Sequence, residues 1–263
     1  MARIRREFVD TPLGQVLVRT GGSGKPVFLL HNTYLGSESF ERGGFLERAA
    51  DHYQVYAPDA IGQTDSDQPP HALEIADYAA NLGDVMTGLG VEKASFVGSH
   101  TGASIALELA VAQPERVAAL VFAGLPLWTA SQRDKVSQMD RFKAWDYRAD
   151  GTHLTDLWQA RAGGITHGLT PEQMHKQFLA FLRSGPRVHE PLLALFRYEP
   201  RDRLPLVTAR VLAVAAEGDP FKEQIPEITV AIPSTETVIL PPGTLLHAFD
   251  PDGLLAALTD FLG

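Results

Sequence analysis

Short, continuous apolar segments that alternate with helical patterns constrain the fold of this sequence more than any other feature. The apolar segments are PVFLLH, YQVYAPD, ASFVG, VAALVFAG, ARVLAVAAEGD and TETVILPPG. Strands that are apolar at consecutive positions are buried on both faces. Segments such as EIADYAANLGDVMTGLG and PDGLLAALTDFL repeat apolar residues at helical spacing. The alternation predicts an α/β fold with a mostly parallel, doubly wound sheet, and REFVDTPLGQVLVRTGG predicts a hairpin before it.

One long segment breaks this alternation. Residues 127–205 contain no strand pattern, and their periodicity is helical, as in SQMDRFKAWDY and PEQMHKQFLAFLR. We therefore predict a core formed by 1–126 and 206–263, with a helical cap at 127–205 inserted between two strands. The cap holds 12 Lys and Arg against 9 Asp and Glu, in a chain whose net charge is −9. Its positive balance suits an anionic substrate or a solvated helical surface.

Composition excludes several classes of function. A net charge of −9 argues against a nucleic-acid surface, and the absence of cysteine removes disulfides, thiolate metal sites and cysteine catalysis. No apolar run approaches the roughly 18 residues of a membrane span, and MARIRREFVD lacks the apolar region of a signal peptide. We predict a cytoplasmic protein with a small-molecule substrate and no nucleic-acid or membrane partner, and we leave a homodimer open.

The stretch SFVGSHTGASIALELA carries the most specific motif. An apolar strand runs into a tight turn framed by Gly98 and Gly102, and a helix of small residues follows. This is the form of a nucleophile elbow, G-x-S-x-G, but the central residue is His100. Histidine is among the residues that tolerate the positive φ of such a turn. The two serines nearby, Ser99 and Ser104, are poor substitutes because neither lies at the apex.

Taken together, the motifs resemble the α/β-hydrolase fold superfamily over nearly the whole chain. Five features occur in the family's order: the loop His31-Asn32-Thr33, the turn 59–67, the elbow at 98–102, Gly218-Asp219-Pro220, and His247 in GTLLHAFD. The resemblance implies that Asp219 is the triad acid and His247 the triad histidine, facing His100. It also implies an oxyanion hole formed by the backbone N–H groups of Thr33 and Thr101.

The role of His100 stays open among three alternatives. The imidazole could attack an acyl group, act as a base, or bind the substrate while His247 and Asp219 supply the base. Two histidines and a carboxylate are also the ligand set of non-haem iron, but in this fold the acid lies behind the histidine. We therefore expect catalytic residues His100, Asp219 and His247, with no metal and no cofactor.

Further residues are candidates for substrate contact. His31, Asn32 and Tyr34 belong to the oxyanion loop, while Leu125 and Trp128, together with Trp145 and Phe221, are candidates for apolar walls. We predict solvated positions for His153, His167, His175 and His189. The leading function is hydrolysis of a small, largely apolar ester, thioester or lactone. The alternatives are a cofactor-free lyase, decarboxylase or isomerase that uses a pair of histidines, and a non-catalytic ligand-binding protein.

Overall fold

The computed structural model describes residues 2–139, 142–165, 170–242 and 251–263, with the side chains of 42 and 162–165 left aside. In this part of the chain, one eight-stranded sheet has the order β1-β2-β4-β3-β5-β6-β7-β8. The strands are β1 (Arg5–Thr11), β2 (Gly14–Gly21), β3 (Pro26–Leu30), β4 (Gln54–Pro58), β5 (Ala94–Ser99), β6 (Val117–Ala123), β7 (Arg210–Ala216) and β8 (Glu236–Leu240). Strands β1 and β2 form an antiparallel hairpin, β2 is antiparallel to β4, and β3 to β8 are parallel to one another. The predicted fold class is confirmed.

Helices separate the strands as the sequence predicts. In the described ranges they are α1 (Phe45–Ala50), α2 (Ile75–Gly88), α3 (Thr101–Ala112), α4 (Ala130–Ser137), α5 (Thr152–Ile165), α6 (Pro171–Arg183), α7 (Glu190–Arg197), α8 (Ile225–Ala231) and α9 (Pro251–Leu262). None of the helices in these ranges is long and apolar enough to cross a membrane.

Strand β3 illustrates how the sheet forms two cores. Phe28 and Leu30 lie in one buried cluster, which α2, α3 and α8 cover. Val27 and Leu29 point to the opposite face, which is packed against α1 and α9. Successive side chains of a strand alternate between faces, so a strand covered on both sides must be apolar at every position. This geometry explains the continuous apolar segments.

The cap departs from the predicted pattern at one place. Helices α4 to α7 all fall between β6 and β7, where the described residues contain no strand, in agreement with a helical insertion. The segment 137–147 was predicted to be helical, but α4 ends at Ser137 and residues 143–148 are not helical. An irregular backbone lets Phe142 contact Phe196 of α7 while Trp145 stacks on His153 of α5. The exact boundaries at 127 and 205 stay a prediction.

Candidate active site

His100 is the single residue between strand β5 and helix α3, at the apex of a sharp turn. Its backbone has φ 47° and ψ −101°. Non-glycine residues rarely adopt such a conformation, which costs about 1–3 kcal/mol. The helix closes tightly over the sheet, because a Cβ at Gly102 would lie 2.3 Å from the carbonyl oxygen of Leu30. The turn therefore has the strained backbone of a nucleophile elbow, with an imidazole at its apex.

Asp219 follows strand β7 and approaches the imidazole of His100 directly. Its Oδ2 lies 3.7 Å from Nε2 of His100, and its Oδ1 accepts a hydrogen bond of 2.8 Å from the backbone N–H of Phe221. The carboxylate side chain is only 1% exposed, so its charge is weakly screened by solvent. The resemblance implies that Asp219 orients His247, but His247 lies outside the described residues. Within those residues, no three His, Asp or Glu side chains form a group suited to a metal ion.

A missing side chain makes room for the imidazole. Gly124 follows strand β6 with φ 79°, and a Cβ at this position would lie 2.7 Å from Cδ2 and 2.8 Å from Nε2 of His100. The same Cβ would lie 3.4 Å from Oδ2 of Asp219. On another side, the ring of Phe221 meets the imidazole edge-on, with centroids 4.7 Å apart. Sequence reasoning missed Gly124, whose only signal was a glycine directly after a buried strand.

The loop after β3, which the resemblance implies to be the oxyanion loop, is joined to the elbow by side-chain hydrogen bonds. The hydroxyls of Thr33 and Thr101 lie 2.8 Å apart, and the Thr101 hydroxyl donates to Oδ1 of Asn32 over 3.2 Å. Thr101 is the first residue of α3, and the first N–H groups of a helix have no partner within the helix. The structure thus brings the predicted oxyanion residues together beside His100.

Two predicted substrate contacts are instead part of the protein interior. The backbone N–H of Ala60 donates to Nε2 of His31 over 3.0 Å, so Nδ1 carries the proton and donates to the carbonyl of Asn32 over 2.8 Å. Burial lowers the pKa of His31, which keeps the ring neutral. Leu125 is buried in the core cluster beside α3. Neither His31 nor Leu125 is among the described residues that line the cavity next to His100.

The cavity beside His100 has a volume of about 760 Å³ and a largely aromatic lining. Its aromatic residues are Tyr34, Trp128, Phe142, Trp145, Phe181 and Phe221, and its charged residues are Lys143, Asp146, Arg148, Asp156 and Arg161. Trp128, Trp145 and Phe221 are therefore placed as predicted. His153 was predicted to be solvated, but it lines the cavity and stacks on Trp145. The lining can hold a small apolar molecule against His100.

Tyr34 connects the oxyanion loop to the cap. Its hydroxyl shares a hydrogen bond of 2.9 Å with Nδ1 of His189, and the guanidinium carbon of Arg161 lies 4.4 Å from its ring centroid. The same guanidinium lies 4.2 Å from the ring centroid of Phe181. Burial, and secondarily the charge of Arg161, lowers the pKa of His189 to about 4, so this histidine is neutral at pH 7. The prediction of a solvated His189 was wrong, because the residue is buried where α7 begins. Of the other two histidines in that prediction, His175 is exposed and His167 lies outside the described residues.

A strained elbow, an acid after β7 and a loop after β3 that is bonded to the elbow, all on a mostly parallel sheet, are the arrangement of the α/β-hydrolase fold. The family model described as the alpha/beta hydrolase fold matches residues 25–248. The chain belongs to the alpha/beta hydrolase fold family.

Several known proteins are similar to this chain over different shares of its length. An uncharacterized protein of Mycobacterium tuberculosis (strain ATCC 25618 / H37Rv) is 31% identical over 103 residues, 39% of this chain and 30% of that protein. The match thus spans less than a third of that relative. A 2-hydroxymuconate semialdehyde hydrolase of Pseudomonas sp. (strain CF600) is 27% identical over 235 residues, 87% of this chain and 76% of that enzyme. The crystal structure of E-2-(acetamidomethylene)succinate hydrolase has a TM-score of 0.81 at 20% identity and covers 99% of both chains. The family match and these relatives support the α/β-hydrolase fold that the sequence predicts.

Proposed function

We propose that the protein hydrolyses a small, largely apolar ester, thioester or lactone, with His100 as the base and Asp219 as the group that orients it. The observation that carries this proposal is the 3.7 Å approach of Nε2 of His100 to Oδ2 of Asp219, at the edge of an aromatic cavity. A buried carboxylate beside an imidazole holds the ring in place, as the acid of a triad does. His247, predicted to be the triad histidine, lies outside the described residues, and that role stays a prediction.

The surroundings of the ring favour a base over a nucleophile. The space beside Nε2 of His100 is narrow, because a Cβ at Gly124 would lie 2.8 Å from it and Oδ2 of Asp219 lies 3.7 Å from it, so an acyl group on this nitrogen would be crowded. With Nε2 protonated towards Asp219, the unprotonated nitrogen is Nδ1. That nitrogen can accept a proton from water, but its neighbouring Cγ substituent crowds it against covalent bond formation.

The proposed reaction then balances in two steps. In the first, water attacks the substrate carbonyl while His100 takes one of its protons, and the backbone N–H groups of Thr33 and Thr101 stabilise the oxyanion. In the second, the tetrahedral intermediate collapses, and the leaving alkoxide or thiolate takes the proton from the imidazolium. The products are a carboxylic acid and an alcohol or thiol. Asp219 stabilises the imidazolium between the two steps.

A panel of activated short-chain esters, thioesters and lactones tests the proposal. We expect turnover by the wild type and a fall of about 10²–10⁴-fold in kcat/KM for His100→Ala. Ser104→Ala is the matched control, because the Ser104 hydroxyl is buried in α3 and has no hydrogen-bond partner among the described residues. The proposal fails if the wild type is no faster than His100→Ala on every substrate, or if Ser104→Ala is equally damaged.

A second candidate is a cofactor-free lyase, decarboxylase or isomerase. The histidine at the elbow apex favours it, because an imidazole beside a carboxylate moves protons without a covalent intermediate. Turnover in ¹⁸O-labelled water distinguishes the two, since hydrolysis places one labelled oxygen in the acid product and proton transfer places none. A non-catalytic binding protein would bind ligands and turn over no substrate in either assay.

A further inference from the structure

A chain of side-chain hydrogen bonds joins the loop after β3 to the first residue of α3. The Thr101 hydroxyl donates to Oδ1 of Asn32 over 3.2 Å, and the hydroxyls of Thr33 and Thr101 lie 2.8 Å apart. A hydroxyl carries one hydrogen, and that of Thr101 is directed to Asn32. The Thr33 hydroxyl is therefore the donor of the shorter bond, so the chain runs from Thr33 through Thr101 to Asn32.

The chain forms where the sheet no longer pairs the two segments. Strands β3 and β5 are parallel, and the last pair in their register is Leu30 with Gly98. Thr33 and Thr101 each lie three residues beyond that pair. The backbone bonds of the ladder thus fix where the two segments leave the sheet, and the hydroxyl contact joins them again at the wall of the cavity beside His100.

Burial makes this contact costly to lose. Thr33 and Thr101 are each only 2% exposed, so water does not readily replace a lost partner of either hydroxyl. A buried polar group that loses its partner keeps the full cost of its desolvation. Neither hydroxyl can therefore move away without leaving the other unsatisfied, and the two residues are held at a fixed separation.

We propose that the side chains of Thr33, Thr101 and Asn32 are positioning groups, which set the separation of the two backbone N–H donors of the oxyanion hole. The inference rests on the proposed function, because hydrolysis is what places a negative charge beside these donors. Thr33 and Thr101 each supply one donor, so the hydroxyl contact acts within the same pair of residues. Such donors are effective at about 2.7–3.1 Å from the oxyanion. A shift of one segment against the other lengthens at least one of these bonds.

Calorimetry with a stable analogue of the tetrahedral intermediate tests this role without turnover. The probe is methyl benzylphosphonate, whose anion has the shape and charge of the intermediate formed from methyl phenylacetate. Phenylacetamide, which is planar and neutral, is the matched reference ligand. We expect Thr33→Val and Thr101→Val to weaken phosphonate binding by about tenfold, with affinity for the amide within about twofold of wild type. Unchanged phosphonate affinity in both variants, or no binding of the phosphonate by the wild type at about 10 mM, overturns the proposal.

Thr20→Val is the matched control for the removal of a buried hydroxyl. Thr20 lies on β2, is 3% exposed, and its hydroxyl accepts a hydrogen bond of 2.9 Å from the side chain of Gln54. We expect this variant to lose stability in urea, as Thr101→Val does, and to keep its affinity for the phosphonate. Thr101→Ser retains the hydroxyl and should restore most of the wild-type affinity. If Thr20→Val weakens binding as much as Thr101→Val, or if Thr101→Ser restores nothing, the effect is a general loss of structure and the proposal is wrong.

The double variant Thr33→Val/Thr101→Val shows whether the two hydroxyls act as one link. Either single substitution already breaks the contact between them. The double variant should therefore bind the phosphonate within about twofold of the weaker single variant. Losses that multiply would show two independent effects and would contradict the proposed link.

The outcome is separable from that of the hydrolase proposal. Both ligands are bound and not turned over, so a loss of affinity confined to the phosphonate would support the positioning role even in a protein that hydrolyses no ester. Where esters are hydrolysed, we expect kcat of Thr101→Val to fall by about tenfold, with KM within a few-fold of the wild-type value. A wild-type kcat in this variant would overturn the positioning role and leave the proposed reaction intact.

Discussion

The absence of a side chain at Gly124 allows a direct test of the contact between His100 and Asp219. The substitution Gly124→Ala adds one methyl group, whose carbon would lie 2.7 Å from Cδ2 and 2.8 Å from Nε2 of the imidazole. The optimal van der Waals separation of non-bonded carbon atoms is about 3.5–4.0 Å. The ring must therefore withdraw by about 1 Å, away from the carboxylate that now lies 3.7 Å from it.

Two effects set the magnitude. Withdrawal by about 1 Å from the added carbon lengthens the 3.7 Å separation to about 4.3 Å, which weakens the attraction between imidazolium and carboxylate by about 0.6 kcal/mol at an effective dielectric constant of 20. Displacement of a catalytic group by about 1 Å costs roughly 10²-fold in rate. We expect kcat/KM of Gly124→Ala to fall by about 10²-fold.

Backbone strain needs its own control, because Gly124 has φ 79° and alanine is disfavoured there by about 1–2 kcal/mol. Gly90 has φ 70°, and a Cβ at that position meets no atom within 4 Å. Gly90→Ala therefore carries similar strain without a collision. Urea denaturation should show a loss of stability in both variants, larger in Gly124→Ala by the cost of the collision, while ester hydrolysis should fall only in Gly124→Ala. If both variants keep wild-type kcat/KM, the contact between His100 and Asp219 has no part in the reaction.

Two further predictions concern single side chains. Asp219→Asn keeps an acceptor for the N–H of Phe221 but removes the charge beside His100. In steady-state kinetics we expect kcat to fall by about 10²–10⁴-fold, with KM within a few-fold of the wild-type value. A change in KM alone would contradict an orienting role for Asp219. For His189, the folded pKa of about 4 lies below the unfolded value of 6.5, so the unfolded state binds more protons between these values and stability falls as pH falls through them. Wild type should lose about 2 kcal/mol more than His189→Gln between pH 7 and pH 5 in urea titrations. Parallel losses in the two proteins would show that His189 does not titrate in this way.

The strands were predictable because the burial of each strand shows in the apolar pattern of its own segment. Each parallel strand is covered on both faces, so each appears as a continuous apolar segment that needs no knowledge of its neighbours. The segment 137–147 was not predictable in the same way. Its aromatic residues Phe142 and Trp145 satisfy a helical period, but their partners in α7 and α5 lie apart in space, and contacts between cap helices decide the backbone.

The elements that form the site were predictable from the sequence, but the contacts between their side chains were not. The elbow, the oxyanion loop and Asp219 each follow a strand, and parallel strands bring their carboxyl ends to one edge. The approach of Asp219 to His100 depends on Gly124, a residue that carries no chemistry of its own. The positions of Arg161 and His189 depend on how the cap packs, which no local pattern encodes.

The contacts of Tyr34 and Gln63 have a consequence for how this molecule admits its substrate. Gln63 accepts from the backbone N–H of Tyr34 over 3.1 Å and donates to the carbonyl of Val188 in the cap over 3.1 Å, beside the bond from Tyr34 to His189. A movement of the cap away from this loop must break these bonds. The position of the loop that carries the predicted oxyanion donors is thereby coupled to the position of the cap.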